Sequence, residues 1–212
     1  MAPSAAVATG TAYDIDSASS LTVVVNKHRP LDPQTYVPKP LSRIQAERMR
    51  SDAAEAYKKM VRAAKADGVN IVAVSGYRSY DTQASLYDSY VQQYGQETAD
   101  TIAARPGHSE HQTGLAMDVG NSSGVCALQD CFEETPVGKW VAANAPAYGF
   151  IIRYPKGEQG VTGYTYEPWH LRYVGSDVLA EQIHAGAKAT GEPDVDTMEE
   201  FFGLEPAPDY LP

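Results

Sequence analysis

The residues of this chain best suited to chemistry fall in two short stretches, PGHSEHQTGLAMDVG (106–120) and EPWHLRYVG (167–175). The first sets His108, Ser109, Glu110 and His111 ahead of Gly114 and then places Asp118 in an apolar run; the second opens with Glu167 and His170. Two imidazoles and a carboxylate are a donor set that zinc favours, and three protein ligands leave a fourth tetrahedral position for water. His111, Asp118 and His170 are the candidate ligands. Glu167 is the carboxylate to keep off the metal. It can take a proton from the water and hand it to a leaving nitrogen, which is metal-assisted amide hydrolysis. A third stretch, SGYRSYDTQ (75–83), carries Arg78 where a strand runs into a helix. A guanidinium there can point across a cleft at a substrate carboxylate or a developing oxyanion, with Gln83 as a further polar contact.

Whether these residues can meet depends on strand periodicity. In GLAMDVG taken as a strand, Leu115, Met117 and Val119 face one side, and Ala116 and Asp118 the other. His111 stands at an odd separation from Asp118, so a straight strand would oppose them, but a turn or bulge at Gly114 can swing His111 back. Glu167 and His170 also need an irregular bend, which Pro168 supplies; beyond it His170 and Arg172 share one face, and Trp169, Leu171 and Tyr173 the apolar one. Each piece has a plainer explanation. An aspartate beside a glycine can cap a turn, a histidine beside a tryptophan can be a satisfied core residue, and Arg78 can be a surface ion-pair partner. The joint occurrence favours a site. His28 and His184 have no such setting and are expected at the surface.

The elements that must position these residues follow from local patterns. LTVVVN (21–26) suits a strand or an extended segment, and the proline-rich 27–41 an extended arm on the surface. Ile44, Ala53, Ala56, Tyr57, Met60, Val61 and Ala64 predict a helix from about Ser42 to Asp67, ended by Gly68. A strand over Val69–Gly76 leads to a helix over Ser79–Tyr94, capped by Ser79, and to a short helix over Gln96–Ala104. Further on, a helix is expected over Thr135–Tyr148 with Pro136 in its first turn, strands at FIIRYP and WHLRYV, a helix over Ser176–Ala189, and one helical turn in TMEEFFGLEP. Strands and helices do not alternate strictly, so the fold class is α+β: a single domain with a small, mostly antiparallel sheet flanked by helices.

Bulk properties narrow the function. The chain has 212 residues, enough for one domain with a proper core, and 17 basic against 27 acidic residues give a formal charge of −10, which disfavours nucleic acid as a partner. No apolar run approaches the roughly 18 residues a membrane span needs. Cys126 and Cys131 can close a small disulfide ring, which would indicate an oxidising compartment, although two free thiols also fit; one C-x4-C pair is a poor zinc signature. Residues 1–20, rich in Ala, Ser, Thr and Gly, are expected to form a flexible leader.

On these motifs the chain resembles the LAS metallopeptidases, which take in lysostaphin-type enzymes, D-Ala-D-Ala peptidases and the hedgehog domain. The pattern S-x-H-x6-D is matched by Ser109, His111 and Asp118, and E-x-x-H by Glu167 and His170. SGYRSYDTQ, PGHSEHQTGLAMDVG, EPWHLRYVG and VNKHRPLDPQTYVP resemble the VanY-like D-alanyl-D-alanine carboxypeptidases and their L,D-carboxypeptidase relatives. The resemblance implies a hedgehog/D-Ala-D-Ala-peptidase-like domain over 21–204, with a leader over 1–20 and a tail over 205–212. It implies one zinc ion on His111, Asp118 and His170, Glu167 as base and acid, and Arg78 polarising the scissile carbonyl or holding the terminal carboxylate. Ser109 and Gln83 become substrate contacts, and Tyr77 and Trp169 packing supports. The implied substrate is the terminal D-Ala-D-Ala bond of peptidoglycan stem peptides. The expected protein is a secreted or extracytoplasmic monomer, with any membrane anchor in its precursor. Alternatives are an L,D-carboxypeptidase, a stem-peptide endopeptidase and a zinc-containing wall-binding module; Glu167 and Arg78 weigh against the last.

Overall fold

The computed structural model describes residues 13–185 and 196–211. β1 (Leu41–Ile44) and β2 (Glu47–Arg50) form an antiparallel hairpin that leads directly into α1 (Ser51–Ala66). The helix expected from Ser42 therefore begins only at Ser51. The reason is tertiary: Tyr77 N–H donates to the Arg48 carbonyl at 2.7 Å, Gly76 N–H to the Glu47 carboxylate at 3.0 Å, and Ala73 N–H to the Gln45 side chain at 3.1 Å. Gln45 itself has φ 52°, outside the right-handed helical region. Within α1, Ala53, Tyr57, Met60 and Ala64 form a buried stripe at helical spacing. Gly68, at φ 79°, ends it: Gly68 N–H bonds the Lys65 carbonyl and Val69 N–H the Ala64 carbonyl, satisfying acceptors that the last turn leaves open.

After α1 come β3 (Ile71–Ser75), α2 (Tyr80–Tyr94), α3 (Gln96–Ile102), β4 (Ala116–Asn121), α4 (Pro136–Asn144), β5 (Phe150–Ile152), α5 (Gln159–Thr162), β6 (His170–Tyr173), α6 (Asp177–Ala185) and α7 (Met198–Phe201). β3, β4, β6 and β5 form, in that order, an antiparallel sheet, as the α+β expectation requires. Ser79 caps α2 by accepting from Thr82 N–H, and Thr135 caps α4 by accepting from Gly138 N–H. The helix expected to reach Tyr148 changes after Asn144 to a 3-10 turn over Ala145–Tyr148 that contains Pro146. The last part of the helix expected over Ser176–Ala189 lies outside the described residues.

Alternation along the strands sorts the two faces of this sheet. Met117, Val119 and Leu171 join Tyr57, Met60 and Val141 in the main core, leaving Asp118, His170 and Arg172 for the other face. LTVVVN does not become a strand: Leu21 and Thr22 lie in a turn, residues 22–26 are buried, and Val24 joins Ile151, Val174, Leu179, Ile183 and Met198 in a second apolar cluster. Two of the expected boundaries need correction. Residues 13–20, expected in the leader, are packed: Ala18 is buried, and the Tyr13 ring meets Phe201 and Phe202; residues 1–12 lie outside the described residues. The tail is also part of the domain, because Ala207 is buried and bonds the Val161 carbonyl, and Lys27 Nζ donates to the Pro208 carbonyl at 3.0 Å. Burial of Ala18 and Ala207 holds these two segments against the domain, although the Ala-, Ser-, Thr- and Gly-rich composition of the first suggested a flexible leader. Cys126 and Cys131 are disulfide-bonded. Among the described residues, no helix is long and apolar enough to cross a membrane.

Candidate functional site

The β4–β6 register sets Asp118 directly opposite His170, so their side chains rise from one face as a cross-strand pair, with Asp118 Oδ1 3.0 Å from His170 Nδ1. His111 arrives from the 3-10 turn Glu110–Thr113, which ends at Gly114 in the left-handed region. A Cβ at Gly114 would stand 3.0 Å from Arg50 N and 3.2 Å from Pro38 Cγ, so both the φ and the space call for glycine. This turn brings His111 Nε2 to 3.3 Å from Asp118 Oδ2. Ligand atoms of His111, Asp118 and His170 all lie within 4.8 Å of one another. The expected bend at Pro168 is also present: His170 N–H bonds back to the Glu167 carbonyl, and Glu167 Oε2 lies 3.6 Å from His170 Nδ1.

The hydrogen-bond partners identify the ligand atoms. His111 Nδ1 is 2.8 Å from the Gly76 carbonyl, which can only accept, so Nδ1 carries the proton and Nε2 offers its lone pair toward Asp118. Burial holds His111 below the usual imidazole range even against the pull of Asp118, as suits a neutral ligand. Burial works to raise the Asp118 carboxyl, but His111 and His170 outweigh it and hold that group well below the carboxylate range. His170 is likewise opposed by burial, yet Asp118 and Glu110 push it up to about 10. For Glu167 burial dominates, helped by Asp118 and opposed by His170, and its carboxyl is pushed up to about 7. A buried N,N,O set with one fixed tautomer fits a divalent ion such as zinc.

Arg78 faces the same cleft. Its Nη1 donates to Gln83 Oε1 at 2.9 Å and its Nη2 to Ser75 Oγ at 2.9 Å, and it forms no ion pair among the described residues. A guanidinium fixed by neutral acceptors keeps its charge for an anion. Gln83 lines the cleft too, but its amide is engaged within the protein, since Nε2 donates to the Ala104 carbonyl at 2.7 Å. The geometry therefore makes Gln83 the support of Arg78. Ser109 is buried beside His111 and lines the cleft, as does Trp169. Tyr77 packs its ring against Arg48. His108 bonds the Asn26 carbonyl away from the ligand set, while His184 is exposed and His28 half-buried, both outside the cleft.

The cleft has a volume of about 430 Å³. Its inner end is the polar group just described; its outer walls are Leu86 and Tyr90 from α2, Ile102 from α3, and Leu128 and Asp130 from the disulfide loop. These outer residues escape a search for reactive side chains because none carries a chemical motif. Glu110 is a different omission. It sits inside HSEH and is fully buried, bonded to Arg153 and Arg172. The available signal was Arg172 on the His170 face of its strand, since a buried arginine requires an acidic partner.

The family model described as D-alanyl-D-alanine carboxypeptidase, VanY, matches residues 46–176. The Bacillus subtilis protein YodJ, provisionally named a carboxypeptidase, is 43% identical over 198 residues, covering 89% of this chain and 69% of YodJ. The solved LdcB LD-carboxypeptidase is similar at a TM-score of 0.77 and 42% identity, covering 89% of this chain and 88% of its own. A mutant VanY D,D-pentapeptidase from a VanB-type resistance cassette, solved in complex with Zn(II), is similar at a TM-score of 0.71 and 32% identity, covering 87% of this chain and 99% of its own.

Proposed function

The chain belongs to the VanY family of D-alanyl-D-alanine carboxypeptidases, and from that premise we propose that it is a zinc-dependent D,D-carboxypeptidase releasing the terminal D-alanine of peptidoglycan stem peptides outside the cytoplasm. The observation that carries this reading is the convergence of His111, Asp118 and His170 on one ion-sized gap, with Glu167 beside it and Arg78 on the same cleft. Zinc, when bound there, supplies Lewis acidity that acidifies water and polarises a carbonyl. His111 and His170 present one ring nitrogen each, and Asp118 its carboxylate. Arg78 takes the negative charge of the substrate, either its terminal carboxylate or the oxygen that gains charge as the amide is attacked. Glu167 removes the proton from the attacking water and delivers it to the departing D-alanine nitrogen, so one residue serves as base and then as acid. A carboxyl pushed up to about 7 is well matched to both tasks near neutral pH.

The L,D-carboxypeptidase reading is carried by a separate observation, the greater similarity to LdcB than to the zinc-bound VanY structure. Both reactions expel a terminal D-alanine and differ in the configuration on the other side of the scissile bond. The test is mass analysis of products from a stem pentapeptide and a stem tetrapeptide, with and without a chelator. Chelator-sensitive loss of one alanine from the pentapeptide alone is the expected result. Loss from the tetrapeptide alone replaces it with the L,D reading, and turnover indifferent to chelator removes the metal.

A further inference from the structure

Behind the candidate ligands lies a group of charges with no access to solvent: the side chains of Glu110, Arg153, Arg172 and Glu199 are all completely buried. Burying four charges is costly even when they are paired, and apolar residues of similar volume often serve stability as well or better. Stability alone is therefore a weak reason for this cluster. The two oxygens of Glu110 suggest another. Oε1 accepts from Arg153 Nε at 2.8 Å and from Arg172 Nη1 at 2.6 Å. Oε2 has no hydrogen-bond partner among the described residues; it faces His170 Nε2, which also has none, at 3.5 Å. Two buried polar atoms without partners, one able to donate and the other to accept, stand a small movement away from a bond. An Nε2–H directed at Glu110 leaves Nδ1 to supply the lone pair, and Nδ1 is the atom 3.0 Å from Asp118 Oδ1.

We propose that Glu110 is a positioning residue that selects which nitrogen of His170 meets the metal, and that Glu199 acts on the same histidine at one remove by clamping Arg153. The inference rests on the metal reading above. Glu199 binds Arg153 through two hydrogen bonds, at 2.6 and 2.9 Å, and accepts from Asn26 Nδ2 at 3.0 Å. Arg172 is held from the other side by the carbonyls of Leu21 and Val23, at 3.0 and 2.8 Å. Segments near residues 21–26 and 198–201, both outside the 46–176 that the family model matches, thus reach His170 without entering the cleft.

The test strips the full chain with a chelator and measures zinc affinity by competition, the visible spectrum of the cobalt form, and the rise in Tm on adding metal. Glu110→Gln is expected to weaken zinc binding about 10- to 100-fold, the range for loss of a ligand's hydrogen-bond partner, to alter the cobalt spectrum and to shrink the metal-induced rise in Tm. Glu199→Gln should do the same more weakly. Met60→Ala, in the core on the opposite sheet face, should lower Tm equally with and without metal and leave affinity unchanged. Wild-type affinity and an undiminished rise in Tm in both glutamine variants would overturn the proposal; if Glu110→Gln does not fold, Glu199→Gln decides alone. Failure of the wild-type chain to take up metal would instead bring down the metal reading itself, and this inference with it.

Discussion

At the floor of the cleft, His111, Asp118 and His170 are 6%, 6% and 3% exposed and held by partners from several elements, whereas at its mouth Ile102 and Leu128 are 48% and 47% exposed. The floor depends on strand register, one left-handed glycine and buried ion pairs, so a change there disturbs both chemistry and fold. The mouth depends on α2, α3 and a disulfide-closed loop at the edge of the domain. Side chains there can vary at little cost to the core. Under the proposed function the floor supplies amide hydrolysis with D-alanine as leaving group, and the outer walls read the rest of the stem peptide. D,D and L,D activity could then share one floor.

The largest effect expected at the floor is that of Glu167→Gln: kcat should fall about 10²- to 10⁴-fold, as for loss of a general acid–base group, with zinc content unchanged. A loss of only a few-fold would remove Glu167 from proton transfer. Because the base must be ionised and its carboxyl is pushed up to about 7, wild-type kcat/KM should climb with pH through that value and level off above it. Loss of that limb in Glu167→Gln assigns it to this residue. Arg78→Lys should lower kcat/KM about 10²- to 10³-fold, since an ammonium keeps the charge but not the fork that Gln83 and Ser75 hold.

Between floor and mouth, Gln83→Met leaves an Arg78 N–H and the Ala104 carbonyl without their present partner. Denaturant unfolding should report a loss of about 1–3 kcal/mol, and KM should rise. If activity falls while stability holds, Gln83 touches substrate after all. The smallest effect on turnover is expected at the mouth. Replacing Cys126 and Cys131 together by serine opens a short ring, worth about 2 kcal/mol by loop entropy, and should shift KM while zinc affinity stays constant. An equal loss of zinc affinity would show that floor and mouth are not independent.

The site was more legible in the sequence than the fold around it. His111, Asp118, Glu167 and His170 could be named because the ligand types stand at motif spacing and because Gly114 and Pro168 mark where a regular strand must bend. Ser79 as a cap, the stripe of α1 and the alternation in β4 are likewise local, and local backbone geometry sets them. The hairpin before α1 was hidden. Its partners are Ala73, Gly76 and Tyr77, beyond the whole length of that helix.

What the sequence determined by itself was the set of reactive residues and the faces on which they could stand, because side-chain chemistry and the periods of helix and strand are properties of short stretches. Long-range packing decided that Gln83 turns to Arg78, that the segments around Ala18 and Ala207 pack into the domain, and that Glu110 meets two arginines and a histidine from β5–β6 and the loop between them. The Glu110–arginine contacts join residues 43 and 62 positions apart, and nothing in the spacing along a chain specifies which distant charge will be buried beside which.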